Sequence, residues 1–178
     1  MDKIPLAGVI GSPISHSRSP QLHQHWLSTY QIKGFYIPID VMAQDLKQVL
    51  STLPKMGFVG VNITIPHKEA VLQIADLVTD RATLIGAANT LIFRKDGKIH
   101  ADNTDGYGFL ENLRNGAPHW SPSDGPAAVL GAGGAARAGG HAGAVDLGAA
   151  GPHGGAAVWR AAGGAGAAHR AAQRARAG

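Results

Sequence analysis

The chain has 178 residues, 44% of them hydrophobic, a formal net charge of +4 and no cysteine. That length holds one comfortable domain, or one plus part of a second. The absence of cysteine excludes disulfides and thiolate metal sites. The charge is uneven: residues 1–138 hold twelve bases against eleven acids, whereas residues 139–178 hold four Arg against one Asp. Charge this sparse, with Trp159 as the tail's single aromatic, argues against a nucleic-acid partner. No segment reaches the roughly 18 apolar residues needed to span a bilayer, and "MDKIPLAGVIG" enters a strand without a signal-peptide pattern. A cytoplasmic protein with no membrane partner is expected.

Residues 1–115 alternate strand and helix signals, the pattern of an α/β domain. "LAGVIG" reads as a buried strand. "SPQLHQHWLSTY" predicts a helix with Leu22, Trp26, Leu27 and Tyr30 on one face, Ser19 as N-cap and Pro20 at its first position. "FYIPIDV" is a second strand, placed at an edge by Pro38. "DLKQVLSTL" is an amphipathic helix through Leu46, Val49, Leu50 and Leu53. "GVNITI" is a third strand, and a helix is predicted over "PHKEAVLQIADLV". "NTLIFRKDGKIHADN" predicts a hairpin turning at Asp96–Gly97. "RNGAPHWSPSDGP" is rich in turn formers and reads as a linker over 116–126. "AAVLGAGGAARA" then reads as strand, glycine-rich turn and helix start, over 127–138.

Four short stretches carry candidate chemistry. In "GSPISHSRSP" the hydroxyls of Ser17 and Ser19 stand two apart before a helix; a cap accounts for one of them, and the pair suits a polyhydroxylated ligand. In "NITIPHKEA" strand alternation puts Asn62 and Thr64 on one face. Lys68 follows, and if Pro66 begins a helix it falls in the first turn, where the positive helix end disfavours a second cation and suits the amine to proton transfer. A solvated surface lysine is the alternative. In "GAANTLIF" and "HADNTDGYG", Asn89 precedes one strand and Asp102 to Asp105 follow the next; Asp102 or Thr104 can cap a helix, which leaves Asp105 available to a lysine. Finally, Gly131, Ala132, Gly133, Gly134, Ala135 and Ala136 fit G-x-G-x-x-A after a strand, a loop that lets backbone approach a pyrophosphate. The nine histidines show no ligand spacing, so no metal is expected.

Together "GSPISHSRSP", "GVNITIPHKE", "GAANTLI" and "DNTDGYGF" resemble the shikimate dehydrogenase family, in its order and spacing, over residues 4 to about 138. The resemblance implies a mixed-sheet α/β substrate domain over 1–115, followed by the start of a Rossmann-type NADP-binding domain. It implies that Ser17, Ser19, Thr64, Lys68, Asn89 and Asp105 bind shikimate or 3-dehydroshikimate, with Lys68 and Asp105 as the catalytic acid/base pair. It also implies that the loop Gly131 to Ala135 holds the NADP pyrophosphate and that Asp80 lies near the nicotinamide end. The reaction implied is NADPH-dependent reversible reduction of 3-dehydroshikimate, in the route to chorismate and aromatic amino acids. A non-catalytic shikimate-binding domain and a quinate/shikimate dehydrogenase are the alternatives, and the state stays open between monomer and homodimer.

Beyond residue 138 the resemblance stops. Of residues 139–178, 26 of 40 are Gly or Ala, with only Val145, Leu147, Val158 and Trp159 as large apolar side chains, too few to bury a core. No Asn-Arg-Thr-like loop for a 2′-phosphate is found, although Arg160 sits in the expected region. A cofactor domain of this kind takes on the order of 100–150 residues. The composition is that of GC-rich codons, so the expectation is a chain truncated or frame-shifted after Arg137, with an unfolded tail and an incomplete, inactive cofactor domain.

Overall fold

The computed structural model describes residues 4–121, with the backbone of 127–128 and 160–161 in addition. Two compact units make up the chain, Met1–Thr104 and Asp105–Gly178. The glycine loop from Gly131 to Ala135 lies outside the described residues, as does most of the 139–178 tail.

The first unit is a six-stranded mixed sheet in which β2 (Phe35–Asp40), β1 (Leu6–Gly11), β3 (Phe58–Ile63), β5 (Thr90–Phe93), β6 (Ile99–Asp102) and β4 (Leu77–Val78) lie side by side in that order. Strand β1 (Leu6–Gly11) leads into α1 (Ser19–Thr29), then β2 (Phe35–Asp40), α2 (Leu46–Thr52) and β3 (Phe58–Ile63). β1 lies between β2 and β3 and runs parallel to both, which is why its apolar run Val9, Ile10 and Gly11 is buried. β2 is an edge strand, as Pro38 requires of a residue that cannot donate to a second neighbour. β5 (Thr90–Phe93) and β6 (Ile99–Asp102) form the expected antiparallel hairpin, with Gly97 at φ 83 in the turn.

Strand alternation sorts the two faces. Ile10, Phe58, Val61, Ile63, Leu91 and Ala101 pack with Leu46, Leu50 and Leu53 around α2 in the main core. Val9, Ile14 and Tyr36, with Ala7 and Leu27, make a smaller cluster under α1. The predicted apolar face of α1 is corrected here: Leu27 packs, whereas Leu22, Trp26 and Tyr30 stay exposed and no residue of α1 is fully buried.

The helix predicted over "PHKEAVLQIADLV" does not form. A turn closed by the His67 amide on the Thr64 carbonyl is followed by one short 3-10 turn, Ala70–Gln73. The Asp76 and Thr79 amides then donate to the Ile99 and Ala101 carbonyls, and β4 (Leu77–Val78) pairs parallel to β6. Ladder bonds to a neighbouring strand thus capture the backbone that a continuing helix would need. A separate helix, α3 (Asp80–Ile85), begins after Thr79, whose hydroxyl accepts the Ala82 amide, and ends at Gly86 in the left-handed conformation.

In the second unit α4 spans Asp105–Gly116, and the backbone of β7 (Ala127–Ala128) pairs antiparallel with β8 (Arg160–Ala161).

Candidate substrate-binding site

The sheet topology decides which candidate residues meet. β1, β3 and β6 end at the same sheet edge, and β5, antiparallel to β3 and β6, begins there. The loop with Ser17 and Ser19 follows β1, the turn with Thr64 and Lys68 follows β3, Asn89 precedes β5, and Thr104 follows β6. Ligands of open α/β sheets bind outside the carboxyl ends of such strands. Backbone bonds tie the loops together: Thr64 N donates to Ile10 O at 2.8 Å, Ser12 N to Ile65 O at 3.1 Å, and Ala88 N to Lys68 O at 2.8 Å. Gly11 permits this approach, since a Cβ there would stand 2.5 Å from Thr64 Cγ2 and 2.9 Å from Ile65 O. Both turns contain a cis X-Pro bond, Ser12–Pro13 and Ile65–Pro66.

Leu22 N bonds Arg18 O, so the helix begins one residue early and Ser19 is its first residue rather than its cap. Ser17 Oγ accepts the Ser19 amide at 3.3 Å. Ser17, Ser19, Thr64, Lys68 and Asn89 are all half-buried.

Lys68 is not at a helix start, because no α-helix begins at Pro66; no helix end therefore bears on its charge, and that reason for proton transfer falls away. Its turn is held instead by His67, which is buried and whose Nε2 is 2.7 Å from Val41 O. A carbonyl only accepts, so Nε2 carries the proton.

Asn89 is fixed on both sides. Its Oδ1 accepts the Thr104 amide at 3.0 Å and the Thr90 hydroxyl at 2.9 Å, and its Nδ2 donates to Thr104 Oγ1 at 3.0 Å. Asp105 opens α4 in the second unit, while Lys68 belongs to the first. Asp80 is exposed at the first position of α3, where a carboxylate suits the positive helix end without any ligand.

Sequence reasoning put Asn62 on the face of Thr64 without giving it a role, and passed over Tyr36. Asn62 Oδ1 accepts the Tyr36 hydroxyl at 2.8 Å, and Asn62 Nδ2 lies 3.3 Å from both Asn89 O and Thr90 Oγ1. The available signal was an asparagine inside a strand, where that residue type is depleted. Tyr36 carried no such local signal.

Asp102 anchors the turn beneath Asn89. It accepts Thr79 Oγ1 at 2.7 Å, Arg81 Nε at 2.6 Å, a second Arg81 nitrogen and the Asn103 amide at 2.7 Å, and its carbonyl accepts the Asn89 amide at 3.0 Å. The Arg81 guanidinium beside it holds the carboxyl well below the usual carboxylate range; partial burial pulls the other way, and Thr79 and Asn103 add to the lowering. A depressed folded-state pKa contributes stability that is present above the unfolded value, about 4, and lost as pH falls through the folded value. Urea midpoints of the wild type and Asp102→Asn should accordingly differ most near neutral pH and converge in strong acid. A gap that stays constant down to acid pH would count against the paired carboxylate.

Residues 9–91 match the family model described as the shikimate dehydrogenase substrate binding domain. A curated relative from Roseobacter denitrificans, named shikimate dehydrogenase (NADP(+)), is 75% identical over 138 residues, covering 78% of this chain and 50% of that protein. The chain thus spans about half the length of the curated relatives it matches. Among solved structures, shikimate 5-dehydrogenase from Thermus thermophilus in complex with shikimate is similar, with TM-score 0.71, 40% identity and coverage of 77% of this chain and 51% of that one. A shikimate dehydrogenase in complex with NADP+ has TM-score 0.70 and 35% identity, with coverage of 78% and 47%. Among the described residues, no helix is long and apolar enough to cross a membrane.

Proposed function

We propose that this chain, whose residues 9–91 match the model of the shikimate dehydrogenase substrate binding domain, binds shikimate at the carboxyl end of its sheet, as the substrate half of an NADP-dependent dehydrogenase. The observation that carries this reading is the convergence of Ser17, Ser19, Thr64, Lys68 and Asn89 on that one end, from separate loops. Hydroxyl, amide and ammonium groups held by backbone contacts suit a ligand with three hydroxyls and a carboxylate. Ser17, Ser19, Thr64 and Asn89 bind it, and Lys68 with Asp105 serves the reacting oxygen.

NADPH, when bound, supplies a hydride to the C3 carbonyl of 3-dehydroshikimate. The carbonyl oxygen then takes up one proton. Lys68 donates it, and Asp105 orients the amine. The proposed pyrophosphate loop, Gly131 to Ala135, lies outside the described residues, and a place for Asp80 near the nicotinamide belongs to the same proposal. So does a cytoplasmic location, since the reaction draws on the cellular NADPH pool.

Calorimetric titration of the chain with shikimate and with quinate tests this reading, with an absorbance assay for NADP+-dependent shikimate oxidation alongside. Saturable shikimate binding is expected, weakened by roughly 1–3 kcal/mol in Asn89→Ala through loss of one anchor among several. Absence of saturable binding would sink the proposal. Binding without oxidation would mark a substrate-binding module, and tighter binding of quinate would shift the reading to a quinate/shikimate dehydrogenase.

A further inference from the structure

We infer that Tyr36 is a positioning residue that couples helix α1 to Asn89: His23 of α1 clamps its ring, and its hydroxyl begins a directional chain of hydrogen bonds across the sheet face. This rests on the shikimate reading for its consequence, but the coupling itself stands on geometry. Tyr36 is 7% exposed, and its hydroxyl donates to Asn62 Oδ1 at 2.8 Å. From Asn62 the chain continues in the same sense: Nδ2 donates to Thr90 Oγ1 at 3.3 Å, and Thr90 Oγ1 donates to Asn89 Oδ1 at 2.9 Å.

Each member has its orientation set by the one before. The Asn62 amide has its oxygen on Tyr36 and its nitrogen on Asn89 O and Thr90, so rotation by half a turn would break contacts on both sides. The ring of Tyr36 is held in turn. His23 stacks on it, centroids 3.8 Å apart at 7°, and His23 Nδ1 lies 2.9 Å from Ser19 O. His23 and Ser19 both belong to α1, so the helix that carries one candidate ligand group also clamps the ring that serves the other. Burial pushes the phenol up to about 12, so the hydroxyl keeps its proton at neutral pH. An apolar ring would fill the same space; the hydroxyl is what links β2 to β3.

The test uses this chain and Tyr36→Phe, which removes one oxygen and keeps the ring. Shikimate affinity measured by calorimetry should fall by roughly five- to thirtyfold. Tyr30→Phe, at an exposed tyrosine, should leave it unchanged. Asn62→Ala combined with Tyr36→Phe should weaken binding by less than the product of the two single effects, because both act on one chain. Wild-type affinity in Tyr36→Phe, or strictly multiplicative effects, would overturn the inference. A wild type that fails to bind shikimate would instead refute the substrate reading. In that case the side-chain amide resonances of Asn62 and Asn89 in the ligand-free chain decide the coupling. His23→Ala and Tyr36→Phe should each shift both; unmoved Asn89 resonances in both variants would overturn it, and His23→Ala alone suffices should Tyr36→Phe not fold.

Discussion

Lys68→Ala is expected to lower turnover by about 10²–10⁴, the usual contribution of a general acid or base, in a chimera joining residues 1–138 to the remaining half of the Roseobacter denitrificans relative. That relative is 75% identical over 138 residues and twice as long as the matched part, so the junction asks little of either side. Shikimate affinity should change much less. The ligand has several anchors, Ser17, Ser19, Thr64 and Asn89 among them, whereas the reacting oxygen has one amine in the same turn as Thr64. The turn itself should survive the substitution, because its backbone is held by His67 on Val41 O and by Ala88 N on Lys68 O. Steady-state rates with equilibrium binding alongside separate the two effects. Near-normal turnover in Lys68→Ala would reduce Lys68 to a binding residue, and an equal loss of turnover and affinity would point to a disturbed turn.

Leu50→Ala is expected to cost about 2–5 kcal/mol, the range for truncating a large side chain in a packed core. Leu50 is 0% exposed and lies on α2 against the main core with Ile10, Val61 and Leu91. Domains of this size have only about 5–15 kcal/mol in hand, so the variant should shift the urea midpoint sharply and populate unfolded chain under mild conditions. Leu84→Ala is the matched control. Leu84 is 65% exposed on α3, and its loss should stay within about 0.5 kcal/mol. Similar midpoints for the two variants would contradict the burial pattern. Because α2 carries none of the candidate ligand groups, folded Leu50→Ala should retain shikimate affinity.

Much of the fold was legible in the residues. Apolar runs of strand length between turn formers located β1, β2 and β3, and Pro38 marked β2 as an edge because a residue without an N–H cannot serve two neighbours. Asp96–Gly97 located the hairpin, since the turn needs the positive φ that Gly97 adopts. The amphipathic period of α2 held because that helix keeps one apolar face on the core. These are local signals, and nothing distant competed with them.

Where a distant partner competed, local reading failed. Helix-like spacing over residues 66–78 lost to the carbonyls of Ile99 and Ala101, which draw the Asp76 and Thr79 amides into the sheet; no property of that stretch announces β6 as a neighbour. Ser19 looked like a cap, yet one more turn bond at Arg18 O moved it into the helix. By itself the sequence determined which residue types were available for a polyhydroxylated ligand and the order of the elements that carry them. Only the tertiary structure decided that separate loops meet at one end of the sheet and that Tyr36, Asn62, Thr90 and Asn89 join in one chain. Hydrogen-bond partners 26 to 28 residues apart are chosen by strand register and side-chain direction, and those exist only once the sheet has formed.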